Sequence, residues 1–468
     1  MKTQWKNCFG SEDFKFAMNY SAIQPGSCPT KVAMKWQHFC FVPLLIIMIS
    51  VAPAAAAQTI KINLDVEYQT IESSGINLEG FHRRGGDNVL PSKFEVMLDD
   101  LADDLVRVGM PLSEWEPEND DEQANHFKWN GFRDTGAVSN SFLRLQTLQD
   151  RGSQLWLAVW DVADWLVKNP DKDAQRRIND LDEFAEAITA YLIRARDHYN
   201  VKPTYISINE PSIASENGWG GYQLALTAEE QAALIHKAGE RFNEQGLATK
   251  WLIAVHKTYP SELAYAKRVL NAPQVKNYVG GFDFHGYWFQ SGHDAELEAW
   301  GKWVSSTGLP AFCGECDYDN QFWKRDDRTE WSHTIESGKL LHKIYSLAHA
   351  AGTLVWYDDA PSERRPYRFA ARHFYDQLTP GSVLVQAKSS SPNVLAIAAK
   401  GPAENRLAII LQNISDVEVM VRIEGIPDVP VKWIRSSSAS FYQLQPVQKG
   451  KKMNVALDPH SINSFYIE

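Results

Sequence analysis

Two glutamates stand at positions where paired carboxylates could do acid–base or nucleophilic work. One closes the β-type run Ile206-Ser207-Ile208-Asn209-Glu210-Pro211, and the other closes Ala311-Phe312-Cys313-Gly314-Glu315. Positions 210 and 315 are 105 residues apart, which is three units of 35 residues, near the roughly 30 residues of one strand–helix unit in a barrel. Opposed carboxylates at that spacing suit glycoside hydrolysis, in which one protonates the leaving oxygen while the other attacks or activates water. Asn-Glu-Pro alone is a weak signal, and a strand-end glutamate is commonly a solvated terminus. The order and spacing together carry the inference.

Other strand ends add polar and aromatic groups. Arg107 closes Leu105-Val106-Arg107, an expensive place for a charge unless a carboxylate pairs with it, so a partner near Glu315 is expected. His285 and Tyr287 end the run from Phe282, and a phenol there could hold a carboxylate ionised by donating a hydrogen bond. Trp160 and Trp356 end two further runs and are candidate sugar platforms, with core packing as the alternative.

The elements that must position these residues alternate along the chain. β-type runs occur at Ile71–Gly75, Leu105–Gly109, Leu155–Trp160, Thr204–Asn209, Trp251–His256, Phe282–Tyr287, Ala311–Glu315 and Thr353–Tyr357. Amphipathic stretches such as 182–199, 228–245, 261–270 and 337–350 lie between them. Eight strands interleaved with helices predict an α/β fold, a (β/α)8 TIM barrel over 69–380. A doubly wound open sheet fits less well, because no glycine-rich phosphate loop follows the first strand. After Pro380-Gly381 short strands separated by turn residues predict a C-terminal antiparallel β-sandwich side domain over 381–468, joined by an N-terminal strand in 58–68.

Composition narrows the partners. The net charge of −11 with no basic stripe argues against nucleic acid or anionic membrane. Aromatics are abundant, with 16 Trp, 17 Tyr and 21 Phe, and some could line a groove against the C–H faces of sugars. Residues 34–57 read as a signal peptide: Lys35, an apolar run from Phe39 to Val51, then Ala54–Ala57 as cleavage site. Residues 1–33 read as an upstream extension outside any domain. A secreted or periplasmic, monomeric protein is therefore expected, without a membrane anchor in the mature form. Of five cysteines only Cys313 and Cys316 lie beyond position 57. Their spacing lacks the second pair a zinc site would need, leaving a local disulfide or two packed thiols.

These residues resemble the clan-A retaining glycoside hydrolases, and within them glycoside hydrolase family 30. Tyr68 through Gly75 is similar to that family's first-strand pattern Q-x-I-x-G-F-G, and Arg107-Val108-Gly109-Met110-Pro111-Leu112-Ser113 to its second strand. Trp160, Trp165 and Asn169 keep the spacing of its W-S-P-P-x-W-M-K-x-N loop. Phe374 through Gly381 resembles the family's junction into the side domain, and 433–438 and 457–466 resemble its last strands. The resemblance spans nearly all of 58–468. It departs at Asp161, Val162 and Ala163, which replace the loop prolines, at Ser73 and Ser74, and in the sequence around Glu315. It implies Glu315 as nucleophile, Glu210 as general acid/base and Asn209 as a hydrogen-bond donor to the sugar 2-hydroxyl. Metal and organic cofactors are not required. Burial and neighbouring negative charge are expected to keep Glu210 protonated near neutral pH. The implied substrate is a β-linked carbohydrate, with xylan or β-1,6-glucan leading, and Arg364, Arg365 and Arg368 could read an acidic decoration. The alternatives are a carbohydrate-binding protein on the same scaffold and a transglycosylase.

Overall fold

The computed structural model describes residues 57–78, 98, 101, 104–168, 176–212, 224–319, 330–356, 367–403 and 405–467. The signal segment inferred above, Asn169, Arg364 and Arg365 lie outside them. The chain opens with β1 (Gln58–Thr70) and then builds eight parallel strands: β2 (Gly75–Asn77), β3 (Leu105–Pro111), β4 (Gln154–Asp161), β5 (Tyr205–Ile208), β6 (Lys250–Ala254), β7 (Val279–His285), β8 (Ala311–Cys316) and β9 (Gly352–Trp356). These close into a barrel in sequence order, with β2 paired to both β3 and β9.

The described helices include a short turn α1 (Leu112–Trp115), then α2 (Ala137–Asp150), α3 (Leu181–Tyr199), α4 (Ala228–Glu244), α5 (Pro260–Asn271), α6 (Asp294–Thr307), α7 (Trp331–Ser346) and α8 (Tyr367–Tyr375). Their signals are local. Asp180 caps α3 by accepting from the amides of Asp182 and Glu183, and Thr227 with Glu230 forms a reciprocal capping box on α4, satisfying amides a helix start otherwise leaves unpaired.

The first barrel strand differs from expectation: it is Gly75–Asn77, and Ile71 to Ser74 form the crossing from the side sheet. Ile71 exchanges backbone bonds with Ser382 and Gly381, which ties that stretch to the junction. Gly75 is required where β2 meets β3, since a Cβ there would stand 1.9 Å from the Leu105 carbonyl oxygen.

Alternation along each strand sorts the barrel. Val106, Val108, Leu155, Leu157, Ile206, Ile208, Ile253 and Phe284 face the helices and belong to the large core. Their neighbours Leu105, Trp156, Tyr205, Leu252, Phe312 and Leu354 form a separate apolar plug in the barrel interior, as the two-residue side-chain period requires. Two residues further along β3, β5 and β8 come Arg107, Ser207 and Gly314, so the interior turns polar towards the strand C-termini.

Nine strands form the side domain: β1 with β10 (Val383–Ser389), β11 (Val394–Lys400), β12 (Leu407–Asn413), β13 (Val419–Glu424), β14 (Pro430–Ser437), β15 (Ser440–Lys449), β16 (Lys452–Leu457) and β17 (Ser461–Ile467). They hydrogen-bond as one continuous sheet, antiparallel except where β1 runs parallel to β13. One face, including Val394, Leu407, Ile409, Val421, Val455 and Phe465, forms the domain's own core. The other, through Ile397, Ile410 and Ile462, joins the barrel core beside Ile344 and Phe374. His373 fixes that joint through Ser464 Oγ at 2.6 Å and Ser436 Oγ at 2.8 Å. Among the described residues no helix is long and apolar enough to cross a membrane.

Candidate active site

The strand C-termini gather six of the residues singled out by sequence: Arg107, Asn209, Glu210, His285, Tyr287 and Glu315. Arg107 is fully buried. Its Nη1 donates to Glu315 Oε1 at 2.8 Å and its Nη2 to Asn209 Oδ1 at 2.8 Å, with Asp283 at 3.7 Å. The guanidinium also lies over the ring of Trp160, 4.4 Å from its centre, and 5.1 Å from that of Trp156. The sequence-level expectation of a carboxylate partner is thus met by Glu315 itself.

Two backbone irregularities aim the glutamates. Cys313 faces the outer core, so strict alternation would send Glu315 outward as well. The pairing of β8 slips between Cys313 and Glu315 against β7, setting Glu315 opposite His285, and such a bulge turns a side chain to the other face. Glu210 follows Ile208, which also faces outward, and it adopts φ 46°. That left-handed conformation is unusual for a residue other than glycine and costs of order 1–3 kcal/mol. It brings the carboxyl back to the barrel mouth.

The two carboxylates share an imidazole. His285 Nδ1 lies 2.7 Å from Glu210 Oε1 and 3.2 Å from Glu315 Oε2. Those two oxygens are therefore within about 6 Å of each other, below the roughly 6.5–9.5 Å of inverting pairs and compatible with the roughly 5–5.5 Å of retaining ones. Tyr287 Oη donates to Glu315 Oε2 at 2.9 Å. Burial pushes this phenol, and the Glu315 charge beside it pushes it further, well above its ordinary range, so it stays a donor.

Glu210 corrects one expectation. His256 Nδ1 approaches the same Oε1 at 2.6 Å. Burial by itself pushes the carboxyl up, but the charge of His285 and the hydrogen bonds from both imidazoles outweigh it and hold Glu210 well below the usual carboxylate range. Burial pushes His285 down, and the opposing charges of Glu315 and Glu210 raise it above the ordinary imidazole value. The resting proton therefore sits on the imidazole side of the cluster. Glu210, His256 and His285 are also of metal-ligating type, and here both imidazoles hydrogen-bond the carboxylate directly.

Beneath lies a layer that sequence reading passed over. Asp283 is buried and accepts from Ser207 Oγ at 3.1 Å, and Ser207 in turn accepts from Trp156 Nε1 at 3.0 Å. Burial pushes Asp283 up to about 6, with Arg107 and His285 pulling it down and Glu315 pushing it up. His256 was also missed as a site residue, although the alternation of Leu252 and Ala254 on one face of β6, carried two residues past its end, points to it. Beside it Lys257 is buried, with Nζ 4.3 Å from the ring centre of Trp288. Burial pulls that amine down to about 8 against the raising effect of Glu210.

The remaining candidates lie at the margin. Trp160 is almost fully buried against Arg107, so it forms a wall of the cluster. Trp356 is half-buried with its ring 6.5 Å from that of Tyr287, and Trp288 is 40 % exposed on the same rim. Arg368 is buried in α8 and does not extend into solvent. Cys313 and Cys316 are both buried free thiols. Cys313 donates to the Glu315 carbonyl at 3.4 Å, and burial pushes its thiol well up.

The site thus sits at the mouth of a closed parallel barrel that carries a β-sheet side domain, with two carboxylates sharing one imidazole. No family model matches the chain, and no curated protein matches it in sequence. Solved structures do match. A family 30 endoxylanase from Clostridium papyrosolvens C71 superposes with a TM-score of 0.67 at 15% identity, over 87% of this chain and 99% of that one. An endo-β1,6-glucanase gives 0.61 at 14% identity over 89% and 94%. A conserved exported protein from Bacteroides fragilis gives 0.68 at 12% identity over 87% and 100%. The chain thus has the fold of the family 30 glycoside hydrolases.

Proposed function

We propose that this chain is an exported, retaining β-glycoside hydrolase that cleaves β-linked polysaccharide or oligosaccharide of xylan or β-glucan type. The observation that carries the reading is the single imidazole within reach of both Glu210 and Glu315, which keeps one pair of their oxygens within about 6 Å and so supports double displacement. Glu315 is the nucleophile: Arg107 donates to its Oε1 at 2.8 Å and Tyr287 to its Oε2 at 2.9 Å, which holds and aims the carboxylate. It attacks the anomeric carbon, the bond to the leaving oxygen breaks, and a covalent glycosyl-enzyme forms.

Glu210 delivers the proton to the departing oxygen. Because it rests as a carboxylate, that proton is drawn through it from His285, one short hydrogen bond away. In the second step water gives a proton back to the cluster and attacks the same carbon, releasing Glu315 with net retention. Asn209, fixed by Arg107, is placed to reach the 2-hydroxyl, and Trp356 and Trp288 offer aromatic surface at the rim. Export rests on the order of charge, apolar run and alanines before Gln58, and a mature protein starting at Gln58 is expected.

Azide rescue tests the roles. Glu315→Ala should abolish hydrolysis, and azide should restore turnover with inverted product. Glu210→Ala should keep the first step on substrates with good leaving groups, and azide should then give a β-glycosyl azide. Near-wild-type hydrolysis by both variants on the true substrate would overturn the assignment.

A further inference from the structure

A second carboxylate cluster lies outside the Glu210–Glu315 pair. After α1 the chain carries Glu116 and Asp120, one helical repeat apart, and the first two turns of α3 carry Glu183 and Glu186. Ligand oxygens of Asp120, Glu183 and Glu186 all lie within 4.8 Å of one another. Surface acids at such spacings are ordinary, but these are buried. Glu186 is fully buried; no N–H or hydroxyl donor reaches its oxygens, and its carboxyl lies within hydrogen-bonding reach of that of Glu183. Glu183 Oε2 and Glu116 Oε2 are likewise buried with no such donor.

Several cations of this region pair with other acids. Lys237 and Arg241 pair with Asp182, Arg133 with Glu118 and His126 with Asp121. Among the described residues none forms an ion pair with Glu116, Asp120, Glu183 or Glu186. Burying like charges without compensation is costly, so something must neutralise them. Protons are one candidate: burial pushes Glu116 up to about 8 and Glu186 up to about 9, with neighbouring carboxylates adding to the rise. A divalent cation is the other, and the spacing of the oxygens accommodates one.

Each oxygen of Asp120 already accepts one backbone amide, from Asp121 and from Lys128, both at 2.7 Å, which fixes its carboxylate. Glu116 Oε1 accepts from the Asp120 amide at 3.3 Å, anchoring the fourth carboxylate. Oxygens about 4.8 Å apart or less can share one ion bound at about 2.3–2.6 Å, and three bidentate carboxylates supply up to about six of the 6–8 oxygens that calcium takes. An all-oxygen set disfavours zinc and copper, which prefer nitrogen and sulfur. Magnesium demands a tighter octahedron and keeps its waters.

We propose that Asp120, Glu183 and Glu186, backed by Glu116, form a calcium site that pins the segment after β3 to the start of α3. Trp115 Nε1 donates to the Ala187 carbonyl at 3.1 Å, and Trp165 Nε1 to the Glu116 carbonyl at 3.0 Å. These rings flank the cluster and supply a spectroscopic handle. The test uses the protein from Gln58 onward, stripped with EDTA and titrated with calcium chloride, with terbium as a luminescent stand-in excited through tryptophan.

Calcium should raise the unfolding temperature saturably with one ion per chain, since binding to the native state stabilises it. It should displace tryptophan-sensitised terbium, and magnesium at equal concentration should do less. Glu186→Gln should weaken calcium binding tenfold or more, and Asp120→Asn provides the same reading should Glu186→Gln fail to fold. Absence of saturable binding to the stripped wild type would overturn the proposal in favour of shared protons. Wild-type calcium affinity in either variant would overturn the assignment of the ligands.

Discussion

Replacing Tyr287 by phenylalanine removes one hydroxyl and little else, because the ring is buried and phenylalanine fills nearly the same volume. The lost group donates to Glu315 Oε2 at 2.9 Å. The other contact of that oxygen is His285 at 3.2 Å, an imidazole already closer to Glu210, so no existing donor takes over. Hydrogen bonds to charged groups contribute about 1.5–3 kcal/mol, which corresponds to a roughly 10- to 150-fold loss in kcat/KM. The loss should fall on formation of the glycosyl-enzyme, where Glu315 must be held and aimed. A series of aryl β-glycosides of increasing leaving-group ability isolates that step. Tyr287→Phe should be slowed across the whole series, whereas His256→Asn, which perturbs proton delivery, should recover as the leaving group improves. Thermal unfolding of Tyr287→Phe should stay within a few degrees of wild type. Unchanged kcat/KM, or recovery that tracks the leaving group, would refute the placement of Tyr287 on the nucleophile.

Two further outcomes are expected. Burial pulls His373 down to about 3, so its folded value lies below its unfolded one and the stability it contributes is present above about pH 6.5 and lost as pH falls. At pH 5 that loss is about 2 kcal/mol. Urea unfolding from pH 7 to 5 should show it, and His373→Gln should flatten the slope. Cys313 and Cys316 should resist a disulfide-forming thiol reagent in the native protein and react on denaturation, because both are buried and the Cys313 thiol is pushed up. Native reaction at the rate of a free thiol would contradict that.

The barrel was legible because parallel strands buried on both faces leave near-continuous apolar runs, and the strand ends then named their own polar residues. Glu210 and Glu315 stand out by residue type, yet strict alternation would have turned both outward. The left-handed Glu210 and the slip in β8 have no composition of their own to announce them. Asp283 and Ser207 were hidden because they sit among the β-forming residues of their strands and read as core. Strand β15 carries no strand signal of its own because Ser440–Lys449 places polar and apolar residues on both faces, at the sheet edge where no burial enforces a period. The acids at 116, 120, 183 and 186 have nothing in sequence to set them apart from solvated acids, and only the fold buries them together.

The central claim, that Glu315 becomes covalently glycosylated, is tested most directly by peptide mapping after trapping with a 2-deoxy-2-fluoro β-glycoside of the preferred sugar. The account predicts inactivation with a single sugar attached to the peptide containing Glu315, while Glu210 stays unmodified. A label on another residue, or active enzyme that turns the glycoside over with inversion and carries no label, would contradict it.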